Sequence, residues 1–288
     1  MEITEVYSYD DPNAEDVIVK VAQYAGPARA LGLPFWVFAE KRNPIGMVVF
    51  GREPIQLLAP AGTLMSFILV ADPKLTREKI KEFASEALDF VKRTAAQYAL
   101  AAFPHKRKEA IEEFEALGFE EIDDCYEMTY KITEPFKISD EIQFEKVGKE
   151  EILKFIQLAK KFLTNSFDTM QKRTLEFTSE LPREFLDAYS KIEEFYFVNK
   201  GEQTVGVLNF NAKSGRIGNV SVDPAHRGKG YTEQALKFAL NKLLESNIKQ
   251  AYLRVHVKNE ASKKLCEKIG FIPETRVKTL MWKRPETS

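Results

Sequence analysis

Cysteine and histidine are scarce in this 288-residue sequence, which holds two Cys, at 125 and 266, and three His. Two thiols so far apart form neither a disulfide framework nor the closely spaced ligand pairs of a structural zinc site. No metal is therefore expected, and a reducing, cytoplasmic setting is. Excess charge is missing as well: 42 basic side chains face 43 acidic ones, a net charge of -1. That balance removes the broad basic face on which nucleic-acid affinity rests. No apolar run approaches the roughly 18 residues of a membrane span. The opening Met1-Glu2-Ile3-Thr4-Glu5 is neither basic nor apolar, so a soluble, unexported protein is expected, with no membrane and no nucleic acid among its partners. Core material is plentiful, with 44% hydrophobic residues, 21 Phe and 10 Tyr. At roughly 100–200 residues per domain, the length allows two domains.

The chain repeats itself. Alternating residues at Phe35–Ala39 and Ile45–Phe50 flank a polar turn and read as a β-hairpin; Glu194–Val198 and Val205–Phe210 do the same. Each hairpin is followed by an apolar strand ending in Asp-Pro (Asp72-Pro73, Asp223-Pro224), an amphipathic helix, a further strand and a second helix that stops at Gly-Phe (Gly118-Phe119, Gly270-Phe271). The copies lie about 150–160 residues apart, which implies one domain used twice. Their expected ranges are 1–133 and 140–288, with the boundary in the polar stretch Ile132–Glu141. Hairpins followed by strand-helix-strand crossovers predict an α/β (α+β) class, with a mixed sheet and helices on both faces. The second copy has the longer front end, and Glu150–Glu194 is expected to shape an acceptor site, with Phe162, Phe167, Phe177, Phe185 and Tyr189 as lining or core.

Chemistry concentrates between a strand and a helix of the second copy, at Val220-Ser221-Val222-Asp223-Pro224-Ala225-His226-Arg227-Gly228-Lys229-Gly230-Tyr231-Thr232. Two glycines let the main chain approach a ligand closely, and amides at a helix start favour an anion. Arg227 and Lys229 add positive charge there, so a phosphate or pyrophosphate is the natural guest. The spacing matches neither a P-loop nor a dinucleotide fingerprint.

Taken together with Leu253-Arg254-Val255, Asn259, Ala261 and Lys268-Ile269-Gly270-Phe271, this segment resembles the acetyl-CoA-binding core of the GNAT superfamily of N-acetyltransferases, over about Phe195 to Trp282. Arg227 and Gly230 keep the register of the family's Gln/Arg-x-x-Gly-x-Gly/Ala signature, while Thr232 replaces its last small residue. The resemblance implies two tandem GNAT-like domains and an acetyl-CoA-dependent N-acyltransferase that moves acetyl to a primary amine of an unidentified acceptor. The main chain of Arg227, Gly228, Lys229, Gly230, Tyr231 and Thr232 would hold pyrophosphate, and Val220 and Val222 would pair with the pantetheine arm. Asn259 and Ser262 would lie on the cofactor side, though Asn259 also suits a helix N-cap. Tyr231 and His226 border the loop and would line the cofactor rather than do chemistry.

Proton transfer is less well marked. Many family members carry a Tyr donor where this chain has Cys266, which reads either as the acid or as a small packed residue. For a base the chain offers His256 on the strand before Asn259, or carboxylates such as Asp168 and Glu176. The alternative is a non-catalytic acyl-CoA-binding or sensing protein. Partners are an amine-bearing small molecule or peptide and, where the chain self-associates, a second copy in a homodimer.

The first copy lacks these features. Thr76-Arg77-Glu78-Lys79 stands in place of Arg227-Gly228-Lys229-Gly230, Arg107 stands opposite Asn259, and Phe114 opposite Cys266. Its loop is expected to continue as ordinary helix and to bind no cofactor. The copy would serve either to wall off or bind part of the acceptor, or as a stabilising partner.

Overall fold

The computed structural model describes residues 5–53, 58–163, 166–167, 187 and 190–285. The chain divides into two compact units, Met1–Asp123 with Val277–Ser288, and Asp124–Arg276.

In the first unit β1 (Glu5–Ser8), β2 (Phe35–Glu40), β3 (Asn43–Arg52) and β4 (Leu64–Val70) pair antiparallel in chain order. Two helices, α1 (Glu15–Ile18) and α2 (Ala22–Ala30), lie between β1 and β2 in sequence. The expected hairpin is the β2–β3 pair, closing at Glu40 opposite Asn43. Helix α3 (Arg77–Lys92) then crosses over to β5 (Tyr98–Pro104), which pairs parallel with β4 from Met65 opposite Tyr98 to Phe67 opposite Leu100. Ile80, Phe83, Ala84, Ala87, Leu88 and Val91 of α3 are all buried, as the 3.6-residue period requires. Helix α4 (Lys108–Ala116) buries Ile111 and Phe114 in the same core. Parallel and antiparallel pairs coexist, so the sheet is mixed.

The last strand of this unit comes from far along the chain. Of β6 (Glu120–Lys131) and β12 (Ile272–Lys283), it is Val277–Lys283 of β12 that pairs antiparallel with β5 and buries Leu280 and Trp282 in the first unit's core. Cys125–Lys131 of β6 pairs instead with a strand of the second unit. The units therefore differ from the ranges 1–133 and 140–288 read from sequence: each holds the closing strand of the other copy.

The second unit holds β7 (Gln143–Lys146), α5 (Ile152–Phe162), β8 (Glu194–Lys200), β9 (Gln203–Phe210), β10 (Ile217–Val222), α6 (Tyr231–Glu245), β11 (Gln250–His256) and α7 (Glu260–Ile269). Four strands form an antiparallel sheet in the order β10-β9-β8-β7, and β11 pairs with β6 from Gln250 opposite Lys131 to His256 opposite Cys125. Helix α6 buries Tyr231, Ala235, Leu236, Ala239, Leu240 and Leu243 in one core with Val198, Leu208 and Phe210. The stretch Ile132–Glu141 is not a loose boundary. Asn241 of α6 accepts from the Phe136 N–H at 2.7 Å and donates to its carbonyl at 2.9 Å, and Gln234 accepts from the Ser139 N–H at 2.9 Å.

Between β10 and β11 the ladder fails. Among the described residues the one isolated parallel bridge here, Arg216 to Tyr252, lies just before β10 begins, with a Tyr252 N–H to Gly215 carbonyl bond of 3.0 Å. A bulge between Ile217 and Val220 also breaks the register of β10 against β9. β10 and β11 are thus the edges of two separate sheets, and the cleft of the second unit lies between them.

Candidate functional site

A one-turn 3₁₀ segment, Pro224–His226, follows β10, its start capped by the Asp223 carboxylate accepting from the Ala225 N–H at 2.9 Å. The chain then enters α6 through Gly228 and Gly230, with φ of 77° and 83°. Those left-handed conformations cost any L side chain, which is why glycine stands at both places. Among the described residues nothing lies within 4 Å of where a Cβ would stand on either residue. Among the described residues no side chain caps α6, and its first main-chain bond is donated by the Gln234 N–H to Gly230 at 3.1 Å. The first-turn amides therefore lie outside the helical ladder, available to an anion. Glu233 in this turn would oppose one, but Lys237 at 2.8 Å and Lys268 at 2.6 Å neutralise it and hold its carboxyl below the usual range.

Two side chains of the loop behave otherwise than their charge or position implies. The Arg227 guanidinium donates to the carbonyls of Phe162 at 2.7 Å and Val222 at 3.4 Å, tying the end of α5 to the end of β10. The Val222 carbonyl is thereby engaged. Tyr231 is buried in the core, with the Lys200 ammonium 5.8 Å from its ring centre. Only its main chain remains for a ligand. Lys200 was not legible as a neighbour of the loop, because it comes from the end of β8.

The loop leads through Thr232 into a cavity of about 110 Å³ between the parted strands. Val220, Thr232, His256, Asn259, Ser262 and Cys266 all line it. Of the expected site residues, Val222, Arg227, Gly228, Lys229, Gly230 and Tyr231 do not. Lining residues that sequence reasoning missed include Asn219, Leu236, Arg254 and, after α5, Leu163 and Ser166. Asn219 carried a readable signal, since it and Ser221 are polar residues among the apolar ones of β10. Its Oδ1 is buried without a partner among the described residues, as is the Ser221 Oγ. Behind them stands a polar network: Asn209 accepts from the Asn219 N–H at 2.8 Å and donates to Glu193 at 2.7 Å, and Arg216 donates to the same carboxylate at 2.6 Å. Buried oxygens without partners cost about 1–3 kcal/mol each, and Asn219, unlike Ser221, lines the cavity, where a ligand donor would offset that cost.

Asn259 caps α7, accepting from the Ser262 N–H at 3.2 Å, while facing the cavity, so both of its expected roles are geometrically open. Cys266 is buried in α7, and burial pushes its thiol up to about 12, with Glu267 adding to the effect. Donation from such a thiol to an ordinary thiolate is uphill by about three pKa units. His256 is buried, faces the ring of Phe167 at 6.4 Å, and its Nδ1 accepts from the Lys258 N–H at 3.2 Å. Among the described residues no carboxylate lines the cavity. Asp168, Glu176, Phe177, Phe185 and Tyr189 lie outside the described residues. Phe162 is core; Phe167 is half exposed.

Residues 164–271 match the model of the acetyltransferase (GNAT) family. No curated protein matches the chain. Among solved structures, the chain is similar to a GCN5-related N-acetyltransferase from Sphaerobacter thermophilus, with 13% identity and a TM-score of 0.62 over 99% of this chain and 97% of that one. A tandem GNAT protein from the clavulanic acid biosynthesis pathway is similar over 99% of this chain and 100% of its own, at 12% identity and a TM-score of 0.61. A GCN5-related N-acetyltransferase from Kribbella flavida follows at 12% identity and a TM-score of 0.53, covering 93% and 95%. At such identities the likeness is one of fold.

Proposed function

We propose that this chain, which carries an acetyltransferase (GNAT) family domain over residues 164–271, transfers acetyl from acetyl-CoA to a primary amine by direct attack, at one site in its second unit. The observation that carries the reading is the uncapped start of α6, gated by Gly228 and Gly230 and continuous through Thr232 with the cavity between β10 and β11. First-turn amides and Lys229 would hold the pyrophosphate, and Val220, Asn259 and Ser262 would border the pantetheine arm. Acetyl-CoA supplies an activated acyl group, and the protein's part is to exclude water, orient the amine and stabilise charge as it develops. The two buried cysteines, which form no disulfide, favour a reducing, cytoplasmic setting.

A second reading, a sensor that binds acyl-CoA without turnover, is favoured by the raised Cys266 thiol and by the lack of a lining carboxylate among the described residues. One experiment separates the two. Acetyl-CoA is mixed with amino acids, polyamines, aminoglycosides and peptides, and free CoA thiol is followed. Amine-dependent thiol release supports transfer; saturable binding with no release from any amine supports the sensor. Neither binding nor release overturns both.

A further inference from the structure

We propose that His256 serves acyl transfer as a neutral hydrogen-bond donor through Nε2, not as the base that removes the amine's proton; this rests on the transferase reading above. His256 ends β11, lines the cavity and is only 9% exposed. Its Nδ1 accepts a main-chain hydrogen bond from Lys258 at 3.2 Å. That donor is pinned on both sides: the Val257 N–H bonds the Asp124 carbonyl at 2.9 Å, and the Asn259 N–H bonds the His256 carbonyl at 2.8 Å. Lys258 therefore cannot swing away without breaking the turn that starts α7.

A main-chain N–H can bond Nδ1 only while that nitrogen keeps its lone pair. A neutral imidazole has one N–H, so the proton sits on Nε2. For Nδ1 to take a proton it would have to turn an N–H against the Lys258 N–H, while Nε2, already protonated, has no lone pair to offer. Base chemistry is closed in this geometry, and donation from Nε2 is open. A neutral imidazole polarising a carbonyl is an effective electrophile in other enzymes. As the amine nitrogen forms the new C–N bond, negative charge grows on the carbonyl oxygen, and Nε2–H donates to that oxygen without giving up its proton. The C–S bond then breaks with the electron pair on sulfur, and the extra proton of the amine leaves to solvent.

The test has two arms. Nitrogen-15 NMR of the histidine rings in the whole protein reads the tautomer directly; the Nε2–H form at His256 is expected, with or without acetyl-CoA. An Nδ1–H form overturns the donor role alone, whatever the activity. In the second arm His256→Gln is assayed by thiol release with the responding amine. The expected result is a fall in kcat of about 100-fold, acetyl-CoA affinity within about threefold, and the acidic limb of the pH–rate profile retained. Loss of that limb makes His256 a base, and an unchanged kcat removes it from the chemistry; either overturns the proposal. Absence of turnover with every amine overturns the transferase reading and this role with it, whereas the tautomer result tests the role alone.

Discussion

The crossover β4–α3–β5 and the crossover β10–α6–β11 share their element order and hydrophobic spacing, yet one is closed and the other open. In the first, β4 and β5 pair directly, α3 is capped by the Thr76 hydroxyl accepting from the Lys79 N–H at 3.4 Å, and Phe83 packs over Gly46. Its cations are engaged too: Arg77 pairs with Glu112 and Glu113, and Lys79 with Glu40 and Glu82. In the second, the strands part, no side chain caps α6, and Lys229 has no carboxylate partner among the described residues. The fold needs only the spacing of apolar residues. A site needs, in addition, a helix start left unsatisfied and two strands that do not pair.

Breaking the comparison at its strongest point, Gly230→Glu forces a side chain into φ of 83° and places negative charge at the amides. Acetyl-CoA affinity is expected to fall about a thousandfold by calorimetric titration, while Lys79→Glu in the first unit leaves it unchanged. Equal losses would sink the one-site reading. Gly46→Ala tests the closed crossover: a Cβ there would stand 2.1 Å from the Phe83 ring and 2.6 Å from the Leu69 carbonyl, against 2.9 Å from the Ser221 carbonyl for Gly206→Ala. The first change is expected to cost about 3 kcal/mol and the second about half that, by chemical denaturation.

Cys266 sharpens the contrast through pH. Because its folded pKa is raised to about 12, the folded protein keeps a proton that the unfolded chain loses. The corresponding stability is fully present below the unfolded pKa of about 8.5 and is lost as pH rises from there toward 12. Stability is expected to fall by about 2 kcal/mol by pH 10, and Cys266→Ala should remove that slope while leaving the pH–rate profile unchanged. The smallest effect is that of Thr76→Ala, which takes away the cap of α3 and is expected to cost about 1 kcal/mol in thermal unfolding. A larger loss would show that the first unit depends on its cap more than on packing.

Much of this was legible in order and spacing. The buried faces of α3 and α6, the hairpins and the glycine loop all follow from local patterns, because backbone preferences and apolar period act over a few residues. Val220, Thr232, His256, Asn259, Ser262 and Cys266 were named from sequence, and one cavity brings them together. Arg227 and Tyr231 were less legible. Charge and position pointed them at a ligand, but the carbonyl of Phe162, 65 residues away, takes one and the core takes the other.

By itself the sequence determined the duplication, the mixed α/β class and which copy keeps glycines at its helix start, since each is written in periodicity and residue type. Tertiary structure alone decided that the closing strands change places, that β10 and β11 part while β4 and β5 do not, and that a main-chain N–H occupies Nδ1 of His256. The physical reason is range. Pairing between distant strands and the lone pair left on a ring nitrogen depend on partners brought together only when the chain folds.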